Sequence, residues 1–471
     1  MLPRLQPREF YDLVVEVAIV RPGPIQGGMV HPYLQARERR RKGEPLQLEK
    51  PELEDALART LGVPIFQEQV MQIAMIAAGF TPGMADDLRR SMAAWKRKGG
   101  VHRFEEPLKQ GMKDRGYPAE FADRIFQQML GFGEYGFPES HAHSFALLAY
   151  ASSWLKCHEP ACFLAALLNS LPMGFYSASQ LVQDARRHGV RVLPIDVTVS
   201  DIDCTLEGNP EPLRPARGLG APPLPQPAVR LGLRMVSSLH TDAAKRLLHA
   251  RATGPAFATT EDLALRAQLS QQDLQALAAA DALASLSGHR RQQMWDAAAQ
   301  HSAPPLWRDV PVHEAPLQLP EAPEGEEILF DYAATGLTLR RHPLALLRPR
   351  LARWRLQTAL QLHSAAHGRR VRACGIVTVR QRPGTAKGTM FVTLEDETGP
   401  VNVIVWPALV DVWRNALLRS QLLAVEGVWQ CSAGPPGSTA VVRHLVAQRF
   451  KDLTPLLGRM GQALQGSRDF H

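Results

Sequence analysis

Cysteine is scarce in these 471 residues: there are five, at positions 157, 162, 204, 374 and 431, and none stand in C-x-x-C spacing. An odd, scattered set argues against a disulfide framework and a zinc site, and fits a reducing cytoplasm. Long apolar runs are missing too. The longest, near Phe163 to Leu168 and Leu422 to Val425, fall far short of the roughly 20 residues needed to cross a bilayer. No basic-then-apolar pattern opens the chain, so a secretory signal is not read and a cytoplasmic location is expected. Acids are absent from one stretch: Arg89, Arg90, Lys96, Arg97, Lys98 and Arg103 succeed one another with no Asp or Glu between them.

What is present is a soluble globular composition, 45% hydrophobic and 21% charged, long enough for about three domains. The net charge of +8 favours a polyanionic partner, and its segregation is more telling than its size. A second basic cluster, Arg37, Arg39, Arg40, Arg41 and Lys42, is broken only by Glu38.

Residues 1–190 read as mainly helical. Val70, Ile73, Ala74 and Ala77 share one helical face. Thr81-Pro82 opens a helix running through Trp95, and Glu159-Pro160 opens another. The glycine- and aromatic-rich segment 131–138 predicts a turn, and Ser140 is placed to cap the long apolar helix after it. Val190 to Val199 predicts a short strand, 205–230 a loop, and Thr241 to Trp295 short helices. Residues 302–325 read as a linker. From Val371 the period changes to two, with strands 371–379, 389–394 and 401–405 joined last by the turn Glu397-Thr-Gly-Pro400, so a small β module is expected.

Several motifs suit phosphate chemistry. Arg21-Pro-Gly-Pro24 fixes a guanidinium on a stiff turn; the plainer reading pairs Arg21 with Glu16. Phe66-Gln67-Glu68-Gln69 sits at a helix start, where its polar groups serve equally as caps. Arg89 and Arg90 point about 100° apart, so a single pocket receives one of them. Gly133 to Ser144 leads a glycine-rich turn into a helix start that attracts anions, with His141 or His143 as donors. The two histidines have no further ligand candidates nearby, so no metal site is read there.

Four ordered segments carry a resemblance: RPGP with QGGMV, GVPIFQEQVMQIA, DLRRSMAAWKRK, and GFGEYGFPESHAHSFALLAYASSWLKCHEPACFLAALLN. Together they resemble the fingers of bacterial C-family DNA polymerases, the replicative polymerase III alpha subunits and their error-prone relatives. Pro138-Glu-Ser-His141, Met92-Ala-Ala-Trp-Lys-Arg-Lys98 and the ending Ser467-Arg-Asp-Phe-His471 resemble the error-prone branch.

The resemblance implies DNA-directed DNA polymerase activity in error-prone synthesis across damage. By motif it makes Arg21, Arg89, Arg90 and His141 contacts to the incoming dNTP, and places Gln67, Glu68, Lys96 and Ser140 behind them or toward DNA. It gives Arg97, Lys98, Arg290, Arg291, Arg380, Arg382, Lys387 and Phe391 as DNA-binding candidates, with Trp406 beside them; Phe391 and Trp406 taken singly read first as barrel core. Glu139 stands where the family usually has lysine, which removes a cation from the site. Segments Leu231 to Val236 and Leu274 to Trp295 resemble tandem helix-hairpin-helix units, although Ser237-Ser238-Leu239 replaces a glycine hairpin in the first. The β module resembles an OB-fold.

The fold class expected is therefore multidomain: mainly α fingers (1–190, with the end of the palm), a strand and helix-hairpin-helix region (191–300), a linker and connecting helices (301–370), a β OB-fold (371–450) and a tail (451–471). The family's catalytic aspartates, with their Mg²⁺, belong to a palm upstream, and neither Asp86-Asp87 nor Asp201-Ile-Asp203 occupies that position. The chain thus reads as a C-terminal part starting near the palm–fingers junction and inactive alone; the rival reading is a non-catalytic DNA-binding fragment. Implied partners are primed template DNA, dNTPs, the sliding clamp and an inactive Y-family-like mutagenesis protein; no clamp-binding peptide and no membrane segment are evident.

Overall fold

The computed structural model describes all residues except 1, 94–99, 133–136, 175, 212–224, 300–316, 434–440, 464–467 and 471. The chain divides into two compact units, residues 1–152 with 384–387 and 431–442, and the remainder.

The first unit is helical. Its core gathers Val14, Val15, Ala18 and Ile19 from the helix Phe10–Ile19 with Val70, Ile73, Ala74 and Ala77 from Gln67–Ala78. These last four are the face expected from their spacing, and each is at most 1% exposed. Gln69 is buried at the head of that helix. Its Oε1 accepts the Ile65 and Phe66 amides at 2.8 and 3.1 Å, and its Nε2 donates to the Ala56 carbonyl at 2.9 Å. Thr81 accepts the Met84 amide at 3.3 Å and starts the helix Pro82–Ala93; the remainder of the stretch expected through Trp95 lies outside the described residues.

Segment 131–138 is not wholly a turn. Gly131 and Phe132 belong to the helix Ala119–Phe132, and Gly131 packs against the backbone of Gly23 and Gly27. A Cβ there would stand 2.6 Å from the Gly27 Cα and 2.8 Å from the Gly23 carbonyl oxygen, closer than atoms pack. The following helix, Glu139–His158, buries only Ala142 and Ala146 among its residues. It leaves Leu147, Leu148, Tyr150, Trp154 and Leu155 exposed.

The second unit holds a helical core and a barrel. Helices Pro160–Asn169 and Ala178–Arg187, assigned above to the first domain, bury Leu164, Leu168 and Val182 in one cluster with Leu247, Leu263, Leu274 and Leu277. The first hydrophobic core ends at Ala146 and this one begins at Ala161, so the expected boundary at 190 falls inside it. The strand expected over 190–199 is short, β1 (Val192–Leu193). The loop expected over 205–230 instead provides β2 (Thr205–Glu211) and β3 (Gln226–Arg230), in the order β1-β3-β2. Val229 of β3 is fully buried, and burial overrides the proline-rich composition. Helices Thr241–Thr253, Thr260–Arg266, Gln271–Ala279 and Arg290–Ala299 follow as their periodicity suggests.

The last module is an OB-fold. Strands β4 (Arg370–Gln381), β5 (Met390–Asp396), β6 (Gly399–Val405), β7 (Leu422–Ala433) and β8 (Val441–Asp452) run β5-β6-β8-β7-β4, and β4 closes on β5. The β6–β8 pairing is parallel, while β4–β5, β5–β6 and β4–β7 are antiparallel. The tail is structured where described: β9 (Arg468–Phe470) pairs parallel with the end of β4. No helix among the described residues is long and apolar enough to cross a membrane.

Candidate functional site

Arg21 is the N-cap residue of the short helix Pro22–Gln26, with extended backbone ahead of two prolines. Its guanidinium does not pair with Glu16, whose Oε2 is buried without a hydrogen-bond partner. It lies 4.8 Å from the Phe137 ring centroid and 5.8 Å from that of Phe145. His141 meets the same two rings edge-on, at 5.1 and 4.7 Å. His141 and Phe145 lie one turn apart on the helix, and Phe137 stands just before its start, so Arg21 and His141 are brought together around Phe137 and Phe145. No carboxylate among the described residues neutralises Arg21. Phe137 and Phe145 were not singled out from sequence; the i, i+4, i+8 spacing of aromatic and imidazole rings was the available signal.

The helix carrying His141 is capped from elsewhere. Glu68 Oε2 accepts the Glu139 amide at 3.0 Å, a carboxylate at a helix N-terminus where the dipole favours it. Ser140, expected to be the cap, is instead an exposed residue inside the first turn. Gln67 is 8% exposed and its amide donates to the Phe137 carbonyl at 3.4 Å. The FQEQ motif therefore braces the aromatic turn rather than facing outward. Glu139 points inward, accepting from Tyr11 at 2.7 Å and pairing with Arg59 at 3.1 Å. Burial first, and then the Glu139 carboxylate, push the Tyr11 hydroxyl far above its ordinary range.

Arg89 and Arg90 form a second group. Asp86, three and four residues before them and so about one helical turn back, bonds both, at 2.7 Å to Arg89 and 2.8 Å to Arg90. Arg90 keeps 70% of its side chain exposed. The next cations, Lys96, Arg97 and Lys98, lie outside the described residues. Part of the other basic cluster is structural: Arg37 bonds Asp12 at 2.5 and 2.7 Å and the Leu5 carbonyl at 2.6 Å.

Two DNA-facing expectations are corrected. Arg290 is 2% exposed. It pairs with Glu327 at 3.0 Å and with Asp331, and Asp281 lies at 3.8 Å. Arg380 is 5% exposed, its guanidinium donating to the Leu417 and Ser420 carbonyls at 2.5 Å each. Both guanidiniums are engaged inside the protein, Arg290 by carboxylates and Arg380 by backbone carbonyls. Arg291 remains half-buried and bonds Glu326 at 2.7 Å. Arg382 and Lys387 are exposed. Phe391 and Trp406 are 37% and 53% exposed, so neither is barrel core. In the first hairpin Ser238 takes the left-handed conformation (φ 65°) where glycine was expected, and the Ser237 amide is used by the Ala334 carbonyl at 2.7 Å. The second hairpin keeps Gly288 at φ 73°.

Family patterns agree with this layout. Residues 1–116 match the bacterial DNA polymerase III alpha subunit finger domain, 189–293 a helix-hairpin-helix motif, and 371–453 an OB-fold nucleic acid binding domain. Over 474 aligned positions the chain is 58% identical to the error-prone DNA polymerase of Bordetella bronchiseptica, covering all of this chain and 43% of that protein. It is 58% identical to that of Burkholderia pseudomallei and 55% identical to that of Methylococcus capsulatus, covering 42% and 44% of them. Along its whole length the chain is similar to error-prone DNA polymerases. It spans less than half the length of these relatives.

The family's reaction implies a divalent metal. The carboxylates described here do not fit one: Asp86 is held by Arg89 and Arg90, Asp201 by Arg251 and Asp203 by Arg234, the last two at 2.7 Å. Among the described residues no group of three His, Cys, Asp or Glu side chains is placed to hold an ion.

Proposed function

We propose that this chain is the fingers, hairpin and OB-fold part of a DNA-directed DNA polymerase working in error-prone synthesis across damaged template. The observation that carries the proposal is 58% identity along the whole chain to proteins named error-prone DNA polymerase. On this reading Arg21 and His141, held by the Phe137–Phe145 pair, receive the triphosphate of an incoming dNTP together with Arg89 and Arg90. Gln67 and Glu68 hold that turn in place from behind. The exposed cations Arg382 and Lys387, with Phe391, take single-stranded template by charge and stacking, and Arg291 supports duplex binding at the second hairpin. Catalytic carboxylates and their Mg²⁺ come from the portion that the relatives possess beyond this chain. The sliding clamp and an inactive Y-family-like protein complete the partner set, in the cytoplasm.

In the full-length polymerase, Arg90→Ala is expected to raise the apparent KM for dNTP, with a loss of about 1.5–3 kcal/mol for a charged hydrogen bond. An unchanged KM removes Arg90 from the triphosphate site. For the chain by itself, DNA affinity is expected to fall with salt, each phosphate contact adding roughly 0.9 to the log–log slope. Tight DNA binding by the chain with no polymerase activity after the remaining portion is supplied would favour the non-catalytic reading.

A further inference from the structure

The outer face of the OB-fold is not open everywhere. Within the second unit, a cleft of about 800 Å³ separates it from the helices Pro160–Asn169 and Ala178–Arg187. Phe163, Leu167 and Leu181 line one wall, and Phe391, Thr393 and Asn402 the other. Along β5, residues 391, 393 and 395 project to this side by strand alternation. The third of them, Glu395, is 8% exposed and lines the same cleft. Its carboxylate receives no hydrogen bond and no ion pair among the described residues. Burial pushes the carboxyl up, with Arg187 pulling the other way. A desolvated carboxylate left without donors is costly, and such a group facing a cavity marks a place for a donor from outside.

The rest of the cleft narrows the ligand. Phe391 offers a ring at 37% exposure, and Tyr176 one at 57%, both suited to a flat π-system. At the rim Lys156 and Arg187 share Asp184, at 2.8 and 3.7 Å, so with Glu395 the cleft carries two cations and two acids. A carboxylate offers acceptors only. Among the nucleobases, guanine alone presents two adjacent N–H donors, N1–H and N2–H, without an acceptor between them. Adenine and cytosine set an acceptor beside their amino group, and thymine flanks its one N–H with carbonyls.

We propose that this cleft is a guanine-binding site, with the Glu395 carboxylate accepting both N–H groups of the base and Phe391 stacking on its face. The proposal rests on the nucleic-acid-binding reading above and names a base preference for the OB-fold within it. The base comes either from a single strand or from a free nucleotide.

The test uses the whole chain, a fluorescent short oligo(dT), the same oligonucleotide with one central guanine, and dGMP as competitor. Wild type is expected to bind the guanine probe about 10-fold more tightly than oligo(dT), the scale of a good bidentate base contact. Glu395→Gln should abolish that preference while leaving oligo(dT) binding unchanged and the thermal midpoint no lower than wild type. Phe391→Ala, at a partly exposed position, should weaken the guanine probe about 5-fold or more through lost stacking. Competition by dGMP assigns the site to free nucleotide; competition only by the strand assigns it to template. Retained preference in Glu395→Gln overturns the proposal, as does oligo(dT) binding with no preference, which leaves the broader reading standing. Failure to bind any oligonucleotide overturns both. An arginine-rich peptide that binds through Glu395 with no guanine preference also overturns it.

Discussion

Arg290 offers the sharpest separation between a structural and a DNA-contacting arginine. Its side chain is 1% exposed and sits with Arg340 among three carboxylates. Arg340 reaches Asp281, Glu327 and Asp331 at 2.9 Å each. Two guanidiniums already balance three acids incompletely, and burial pushes the Glu327 carboxyl up. Arg290→Met leaves one cation for the three acids and strips the Glu327 carbonyl of a donor at 2.8 Å. Removing one partner from a buried charge cluster costs about 3–5 kcal/mol, and at roughly 2–4 °C per kcal/mol the unfolding midpoint of the second unit should fall by about 10 °C. The deficit should shrink as pH is lowered, because carboxyls stripped of their cation are raised in the folded state and penalise folding most when ionised. Calorimetry from pH 5 to 8 reads this directly. DNA binding serves as the second channel: the salt slope should not change, whereas loss of a phosphate contact lowers it by about 0.9. An unmoved midpoint with a reduced slope would refute the reasoning and return Arg290 to the DNA-facing set.

Two further outcomes are expected. Burial pushes the Asp12 carboxyl up, but hydrogen bonds from Arg37 and from the Arg8 and Glu9 amides outweigh it and bring it from 3.8 to about 2. With a depressed folded value, its contribution of about 2 kcal/mol is present above pH 3.8 and is lost as pH falls through 2; Asp12→Asn should flatten acid unfolding of the first unit over that window, and an unchanged pH profile would contradict the pairing. Gly131→Ala should destabilise the first unit by about 1–3 kcal/mol through overpacking against Gly27, and a wild-type thermal midpoint would show that the close approach is not required.

Local signals were legible wherever a residue's state depends on its near neighbours. The buried face Val70, Ile73, Ala74 and Ala77, the helix starts at Thr81-Pro82 and Glu159-Pro160, and the alternation of β4 to β6 all follow from period and from proline at the first helical position. The motif order that carries the family resemblance was readable for the same reason, since it lies in contiguous residues.

Partner choice across the chain was not legible. Nothing near Arg290 in sequence announces Glu327 and Asp331, roughly 40 residues on, and nothing near Arg380 announces the Leu417 and Ser420 carbonyls. Both looked like free cations because a string of residues carries charge but not the burial and bonding of the group that bears it. Likewise Glu68 displaced Ser140 as the cap by reaching over from another helix, and β2 and β3 formed in a proline-rich stretch because Val229 had a core to enter. Glu395 reads in sequence as an ordinary strand acid. Only the packing of two helices over the barrel desolvates it and leaves it facing a cleft. The amino-acid order thus determined which elements form and which family they resemble. Tertiary structure decided which charges remain available, because availability depends on distances that close only after folding.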